Sequence, residues 1–302
     1  MKSNNLTAHL AVLGANIIYG VTFSVAKDVM PDYLTPNAFI LVRVTGAVLL
    51  FWLLAKALRI NETIQKRDWL RLGLAGFFGV AANQLLFFQG LSLTTPINAA
   101  IIMTVNPVMV LIIAAVVLRN KITLTKSVGI VLGLSGALLL NTYVNDQWVI
   151  PSFNGGTSTG DLLVFINATS YAIYMVIIKP VMQKYNPVTV IKWIFTFGFI
   201  YVLPFGFTQL IATDFGSIPR FVYAEITFVV IATTFFAYLF NIYGLKKLNP
   251  STVSIYIYLQ PFFATVVALM WGKDDLSFIK IVSAALIFAG VYLVSKRQKR
   301  SL

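Results

Sequence analysis

The sequence has no cysteine and a single histidine, His9. Disulfides, thiolate nucleophiles, cysteine-based metal sites and histidine clusters for a metal or a proton relay are therefore excluded. Charge is scarce as well: 23 basic and 10 acidic residues, 11% of 302 positions. Soluble domains carry about 25% charged residues, so a water-facing shell cannot be built from this chain. What is plentiful is apolar, with 58% hydrophobic residues and a mean hydropathy of +0.83. A spanning helix needs about 20 apolar residues, so the length suits ten spans, tight loops and one linker, with no soluble domain. The composition is that of a multi-pass integral membrane protein.

Apolar runs fall at 9–26, 37–55, 69–90, 96–118, 124–141, 161–178, 188–210, 222–243, 251–271 and 277–295. None alternates with period two, which favours helices over a barrel. The first run lacks a small-residue cleavage motif before Lys27 and reads as a retained span. The longest polar break divides the chain into units at 1–142 and 143–302, the second opening with a linker at 143–160. With both termini on one face, 17 of the 23 basic residues share that face, from Lys2 and Lys56 to Lys296, Arg297, Lys299 and Arg300. Four lie opposite (Lys27, Arg220, Lys273, Lys280), while Arg43 and Lys192 fall within spans. Basic residues stay cytoplasmic, so both termini are expected inside the cell. The net charge of +13 is then an orientation signal whose partner is anionic lipid headgroups rather than nucleic acid.

Residues 72–139 superimpose on 226–293 without a gap at an offset of 154, aligning Gly90/Gly244, Pro96/Pro250, Pro107/Pro261 and Gly136/Gly290. Earlier in each half Tyr19 faces Tyr171 and Lys27 faces Lys179, at offset 152. Five spans is an odd number, so the second half enters the membrane from the other side. The expected fold is all-α and integral to the membrane: ten transmembrane helices as two inverted five-helix repeats. The motifs NIIYGVTF, LVRVTGAVLL and FFQGLSLTTPINAAIIMTVNPVMVLIIAAVVL in the first half have counterparts in the second, LFNIYGLKKLNPSTVSIYIYLQPFFATVVALMW and SAALIFAGVYL. In this order they resemble the drug/metabolite transporter superfamily, EamA type, over nearly the whole chain. The turn after the fourth span departs from that family: Leu118-Arg119-Asn120-Lys121 has no acid, whereas Gly272-Lys273-Asp274-Asp275 keeps one. The resemblance implies a metabolite exporter of the inner membrane whose cavity is walled by spans 1, 3, 4, 6, 8 and 9.

Matched interrupted helices are the best sequence pointer to a site in an inverted-repeat transporter. Pro107 and Pro261 form such a pair, and each frees the carbonyl four residues earlier, on Met103 and Ile257. The freed carbonyls meet either a substrate pathway or a neighbouring helix in a packing kink. Helical spacing lines up Asn98, Ile102 and Asn106 on one face, and Thr252, Tyr256 and Gln260 on its counterpart. Asn16, Tyr19 and Phe23 form a similar stripe on span 1, as do Asn167, Tyr171 and Tyr174 on span 6. Span 3 adds Asn83 and Phe87, and span 8 adds Phe235, Tyr238 and Asn241. Such walls suit an apolar or planar metabolite with a polar end; the alternative is interhelical hydrogen bonding. Arg43 is an intramembrane cation suited to a substrate carboxylate, or else it snorkels to headgroups. Gly129, Gly133 and Gly136 permit close helix approach, either between spans 5 and 10 or across a homodimer.

All ten acids can be placed in loops or at span ends, and His9 before the first span. Without a buried carboxylate or histidine, facilitated diffusion or exchange is expected rather than proton coupling. A membrane enzyme would need a catalytic acid, base or metal at depth, so no enzyme and no cofactor is expected. A channel or scaffold is the competing class. The sequence reading is thus an inner-membrane carrier of small organic metabolites such as amino acids, by alternating access.

Overall fold

The computed structural model describes residues 3–94, 99, 102–119, 121–144, 147–148, 158–270 and 277–295. The chain is almost wholly helical. Its segments are α1 (Ser3–Val29), α2 (Pro36–Ala57), α3 (Lys66–Leu93), α4 (Asn106–Val117) and α5 (Leu124–Thr142). After them come α6 (Ser158–Ile177 and Lys179–Lys184), α7 (Pro187–Ile211), α8 (Arg220–Lys247), α9 (250–270) and α10 (Phe278–Ser295). Among the described residues, six helices are long and apolar enough to cross a membrane: α2, α3, α6, α7, α8 and α10. Shorter apolar helices cover Leu6–Thr22, Asn106–Val117 and Leu124–Leu140. One departure from an all-helical chain is a small antiparallel ladder, β1 (Tyr143–Val144) on β2 (Gln147–Trp148), at the start of the expected linker.

Proline sets helix starts. Pro36 and Pro187 occupy the first turns of α2 and α7, where a missing N–H costs nothing, and each follows a capping side chain. Thr35 Oγ1 accepts from the Ala38 amide at 3.4 Å, and Asn186 Oδ1 from the Val188 amide at 2.9 Å. Large apolar side chains such as Val116, Leu124, Ile211 and Phe278 are strongly exposed, as expected of surfaces that face acyl chains.

The principal pairings are α5 with α10, α2 with α7, α3 with α6, α1 with α8, α3 with α7, α2 with α8, α4 with α6 and α1 with α9. Adding five to each helix number, and wrapping past ten, returns the same set. The side chains repeat the pattern. A Cβ on Gly90 would meet Val164 at 2.8 Å, and one on Gly244 would collide with Val12, the counterpart of Val164 at offset 152. Between α5 and α10, a Cβ on Gly290 would lie 2.5 Å from Gly129 O, and one on Gly136 2.7 Å from Ser283 O. These two contacts interchange at offset 154. The glycines of α5 are thus used within the chain, against α10.

Two departures from regular helix also match. α3 passes through a π segment at Phe77–Ala81 and α8 through one at Val229–Phe236, again in register at offset 154. Near the prolines, residues Thr104 and Val105 form a turn before α4, and Ile255–Tyr258 form a 3-10 turn inside α9.

Candidate functional site

A cavity of about 390 Å³ lies between α1, α2, α3, α6, α8 and α9, within the about 300–1,000 Å³ usual for small-molecule sites. Its floor is formed by Asn16, Asn241 and Val253. Its mouth is formed by Met30, Pro31, Pro36 and Ser92, where α1 and α3 end and α2 begins; Pro31 and Ser92 are exposed. The cavity opens on that face.

Amide groups tie the floor together. Gln260 Nε2 donates to Asn16 Oδ1 at 2.9 Å, Asn16 Nδ2 donates to Val12 O at 2.8 Å, and Asn241 Nδ2 donates to the Tyr19 hydroxyl at 3.2 Å. Aromatic rings make the walls: Tyr19 stands edge-on to Tyr238 with centroids 6.4 Å apart, and Phe87, Phe88 and Tyr171 join them. Arg43 also lines the cavity and is buried. Its Nε donates to Thr234 Oγ1 at 3.2 Å, and its guanidinium carbon lies 5.6 Å from the Phe39 ring centre and 5.3 Å from that of Phe88. The anchor depends on the π segment, because Thr234 Oγ1 in turn donates to Val229 O at 2.8 Å, five residues back. No carboxylate lies within 4.0 Å of Arg43 among the described residues.

Of the side chains expected at a site, Asn16, Tyr19, Arg43, Asn83, Phe87, Asn167, Tyr171, Tyr238, Asn241 and Gln260 line this cavity. Met103 and Ile257, four residues before the matched prolines, line it too. Asn106 does not: it is fully buried and its Nδ2 donates to Ala168 O at 2.7 Å. Ala168 is the counterpart of Asn16 and Asn106 that of Gln260, so the two amides bridge equivalent positions, one to a backbone carbonyl and the other to a side-chain oxygen. Tyr174 packs behind the wall against Gly79, with its ring 5.6 Å from that of Tyr171. Tyr256 does not line the cavity either; its hydroxyl lies 2.8 Å from His9 Nδ1. Asn98 and the Phe23 side chain lie outside the described residues. Pro107 sits in the first turn of α4, and Pro261 follows the 3-10 turn of α9.

Three features correct the reading of the sequence. His9 is inside α1, which begins at Ser3, nearly two turns before the apolar run. Arg43 does not snorkel; it is held between α2 and α8. Asp68, at the start of α3, is fully buried and accepts from Lys184 Nζ at 2.8 Å and from the Tyr185 hydroxyl at 3.0 Å. Gln84 was not anticipated, although Gln84, Phe87, Phe88 and Leu91 form a helical stripe along the cavity. Among the described residues no three His, Cys, Asp or Glu side chains gather as a metal site would require.

At the end of the molecule away from the mouth, α6 is tied to the end of α8. Lys179 Nζ, at the break in α6, donates to Leu245 O at 2.5 Å and Leu248 O at 2.6 Å, capping the last carbonyls of α8. Gln183 Nε2 donates to Lys246 O at 3.1 Å beside it.

The EamA-like transporter family model matches residues 6–142 and again 158–296. The chain is 26% identical over 295 residues to the uncharacterized transporter YyaM of Bacillus subtilis, covering 96% of this chain and 94% of that one. It is 26% identical over 282 residues to an uncharacterized transporter of Archaeoglobus fulgidus, covering 93% and 95%. A probable terminal-alkyne amino-acid exporter of Streptantibioticus cattleyicolor is 23% identical over 231 residues, covering 76% and 74%. A crystal structure with 15% sequence identity superimposes with a TM-score of 0.78 over 98% of this chain and 97% of that one, which establishes the shared fold. With the family model matched once in each half and helices that cross a membrane, the chain belongs to the EamA-like transporter family and is a multi-pass integral membrane protein.

Proposed function

We propose that this chain is an inner-membrane carrier, an exporter or facilitator, for small organic metabolites with an apolar or aromatic body and a polar end, amino acids among them. In this reading, ten spans form two inverted five-helix repeats, 1–142 and 143–302, with both termini cytoplasmic. The repeats rock about the central cavity to expose it to each face in turn. One observation carries the reading: a cavity walled by helices of both halves reaches exposed residues at one end, while at the other α6 and α8 are tied together by the Lys179 cap. The exchange symmetry of the helix pairings supports it, since a shape of this kind has a mirror state in which the two halves trade roles. The face bearing 17 of the 23 basic residues is the tied one, so the cavity faces outward. Anionic headgroups attract that basic face.

Purified protein in liposomes is expected to give saturable uptake stimulated by solute on the opposite side. Such exchange continues without a pH or sodium gradient. A channel gives no trans-stimulation, and flux proportional to concentration would sink the carrier reading.

The Lys179 cap is expected to hold the cytoplasmic end closed. Hydrogen bonds to charged groups contribute about 1.5–3 kcal/mol each, so Lys179→Met shifts the balance about tenfold or more toward the open inner end. The chain has no native cysteine, so a cysteine introduced at Val253 can report the change. Its labelling by a membrane-impermeant thiol reagent from the cytoplasmic side accelerates in Lys179→Met; an unchanged rate would show that the cap does not gate.

A further inference from the structure

We propose that Arg43, Gln84 and Tyr238 form a carboxylate subsite, so that the cavity recognises small organic acids by their carboxylate and does not require an ammonium group. The proposal rests on the carrier reading above and names its substrate class.

Arg43 has five N–H donors, of which Nε is used on Thr234. The donors on Nη1 and Nη2 make no hydrogen bond among the described residues, and the side chain lines the cavity. Gln84 is 3% exposed, lines the same cavity, and neither of its amide atoms makes a hydrogen bond within 3.5 Å. It stands beside the Tyr238 hydroxyl, which also lies in the field of Arg43. That hydroxyl reaches Gly79 O only at 3.5 Å, the outer limit of a hydrogen bond. Three groups on three helices thus converge with donors to spare: the Nη donors of Arg43, and a Gln84 amide and Tyr238 hydroxyl that have each other only as loose partners.

An unpaired guanidinium away from water is expensive, and the flanking rings of Phe39 and Phe88 offset part of that cost by cation–π attraction. A planar carboxylate would complete the site, because the guanidinium fork matches its two oxygens. Among the described residues the lining includes no Asp, Glu, Lys or His, so there Arg43 is a positive charge with no counter-charge beside it. A monoanion neutralises that charge, whereas a zwitterion leaves it in place. A phosphate ester, with a second negative charge, would call for further cations. The body of the acid would lie against the rings of Tyr19, Phe87 and Tyr171.

Isothermal titration of the purified full chain in neutral-lipid nanodiscs tests this with phenylpropanoate, phenylalanine, phenylpropanamide and inorganic phosphate. Phenylpropanoate is expected to bind about tenfold or more tightly than its amide, and no more weakly than phenylalanine. Arg43→Met removes the advantage, with about 30-fold or greater loss for the acid alone, and Arg43→Lys retains part of it. Gln84→Leu weakens the acid but not the amide, which keeps the test open if Arg43→Met does not fold. Amide binding equal to acid binding, tighter binding of phenylalanine than of phenylpropanoate, equal binding of inorganic phosphate, or no binding at all would each overturn the proposal. Binding is read without transport, so acid selectivity without trans-stimulated flux would instead count against the carrier reading.

Discussion

Gly290→Leu is expected to leave no monodisperse protein after detergent extraction. Even the first atom of the new side chain would fall 2.5 Å from Gly129 O and 2.6 Å from Gly133 N. Those are backbone atoms, so relief requires α5 and α10 to separate. In lipid there is little hydrophobic force between helices, and close packing of small residues is what holds such a pair. Overpacking commonly costs about 1–3 kcal/mol where side chains can yield; here they cannot. The counterpart contact predicts the same result for Gly136→Leu, whose Cβ would lie 2.7 Å from Ser283 O. Gly73→Ala is the control: its Cβ would meet the Tyr201 hydroxyl at an ordinary 3.5 Å. Size-exclusion profiles and melting temperatures measure all three, and a folded Gly290→Leu protein with unchanged Tm would refute the tight α5–α10 seam.

Asn16→Leu with Gln260→Leu is expected to abolish exchange while membrane insertion continues. The pair joins α1 to α9 at the cavity floor, at 2.9 Å. Gln260→Leu alone strands the buried Asn16 oxygen, at about 1–3 kcal/mol, so that single variant loses stability; the double variant is less perturbed in melting but loses the polar floor. Asn106→Leu separates structure from binding. It removes the matching bridge to Ala168 O from a position outside the cavity, so it lowers Tm and leaves solute affinity near that of the parent. If Asn106→Leu changed affinity and Gln260→Leu did not, the placement of the floor would be wrong. Calorimetry and melting curves on the same preparations decide it.

That contrast shows what a sequence can carry. The pairing of Asn106 with Gln260 is legible because prolines and glycines hold one register across the two halves. Which of the two meets the cavity is not, since helical spacing defines a face without naming what stands opposite it. Arg43 was visible as a cation within a span, but its support was hidden: the hydroxyl of Thr234 reaches Arg43 through a π segment. Such segments arise where tertiary contacts favour an i to i−5 bond, and strings such as VVIATTFF carry no local mark of it. Gln84 was overlooked beside Asn83 because adjacent helical positions point about 100° apart, and an apolar background gives no reference direction. The buried Asp68 looked like a loop acid because its partners, Lys184 and Tyr185, are more than 100 residues away.

The lysine that caps α8 has a counterpart. Lys27 precedes Lys179 by 152 positions, and the carbonyls of Leu245 and Leu248 correspond, at offset 154, to those of Leu91 and Thr94 at the end of α3. On the alternating-access reading, closing the outer mouth would call for an equivalent clasp at the end of α3, made as Lys179 lets go. One ammonium clasp is exchanged for another of the same kind, so the cycle runs on nearly level ground, like a balanced seesaw. A machine levelled in this way is moved by whichever side holds more solute.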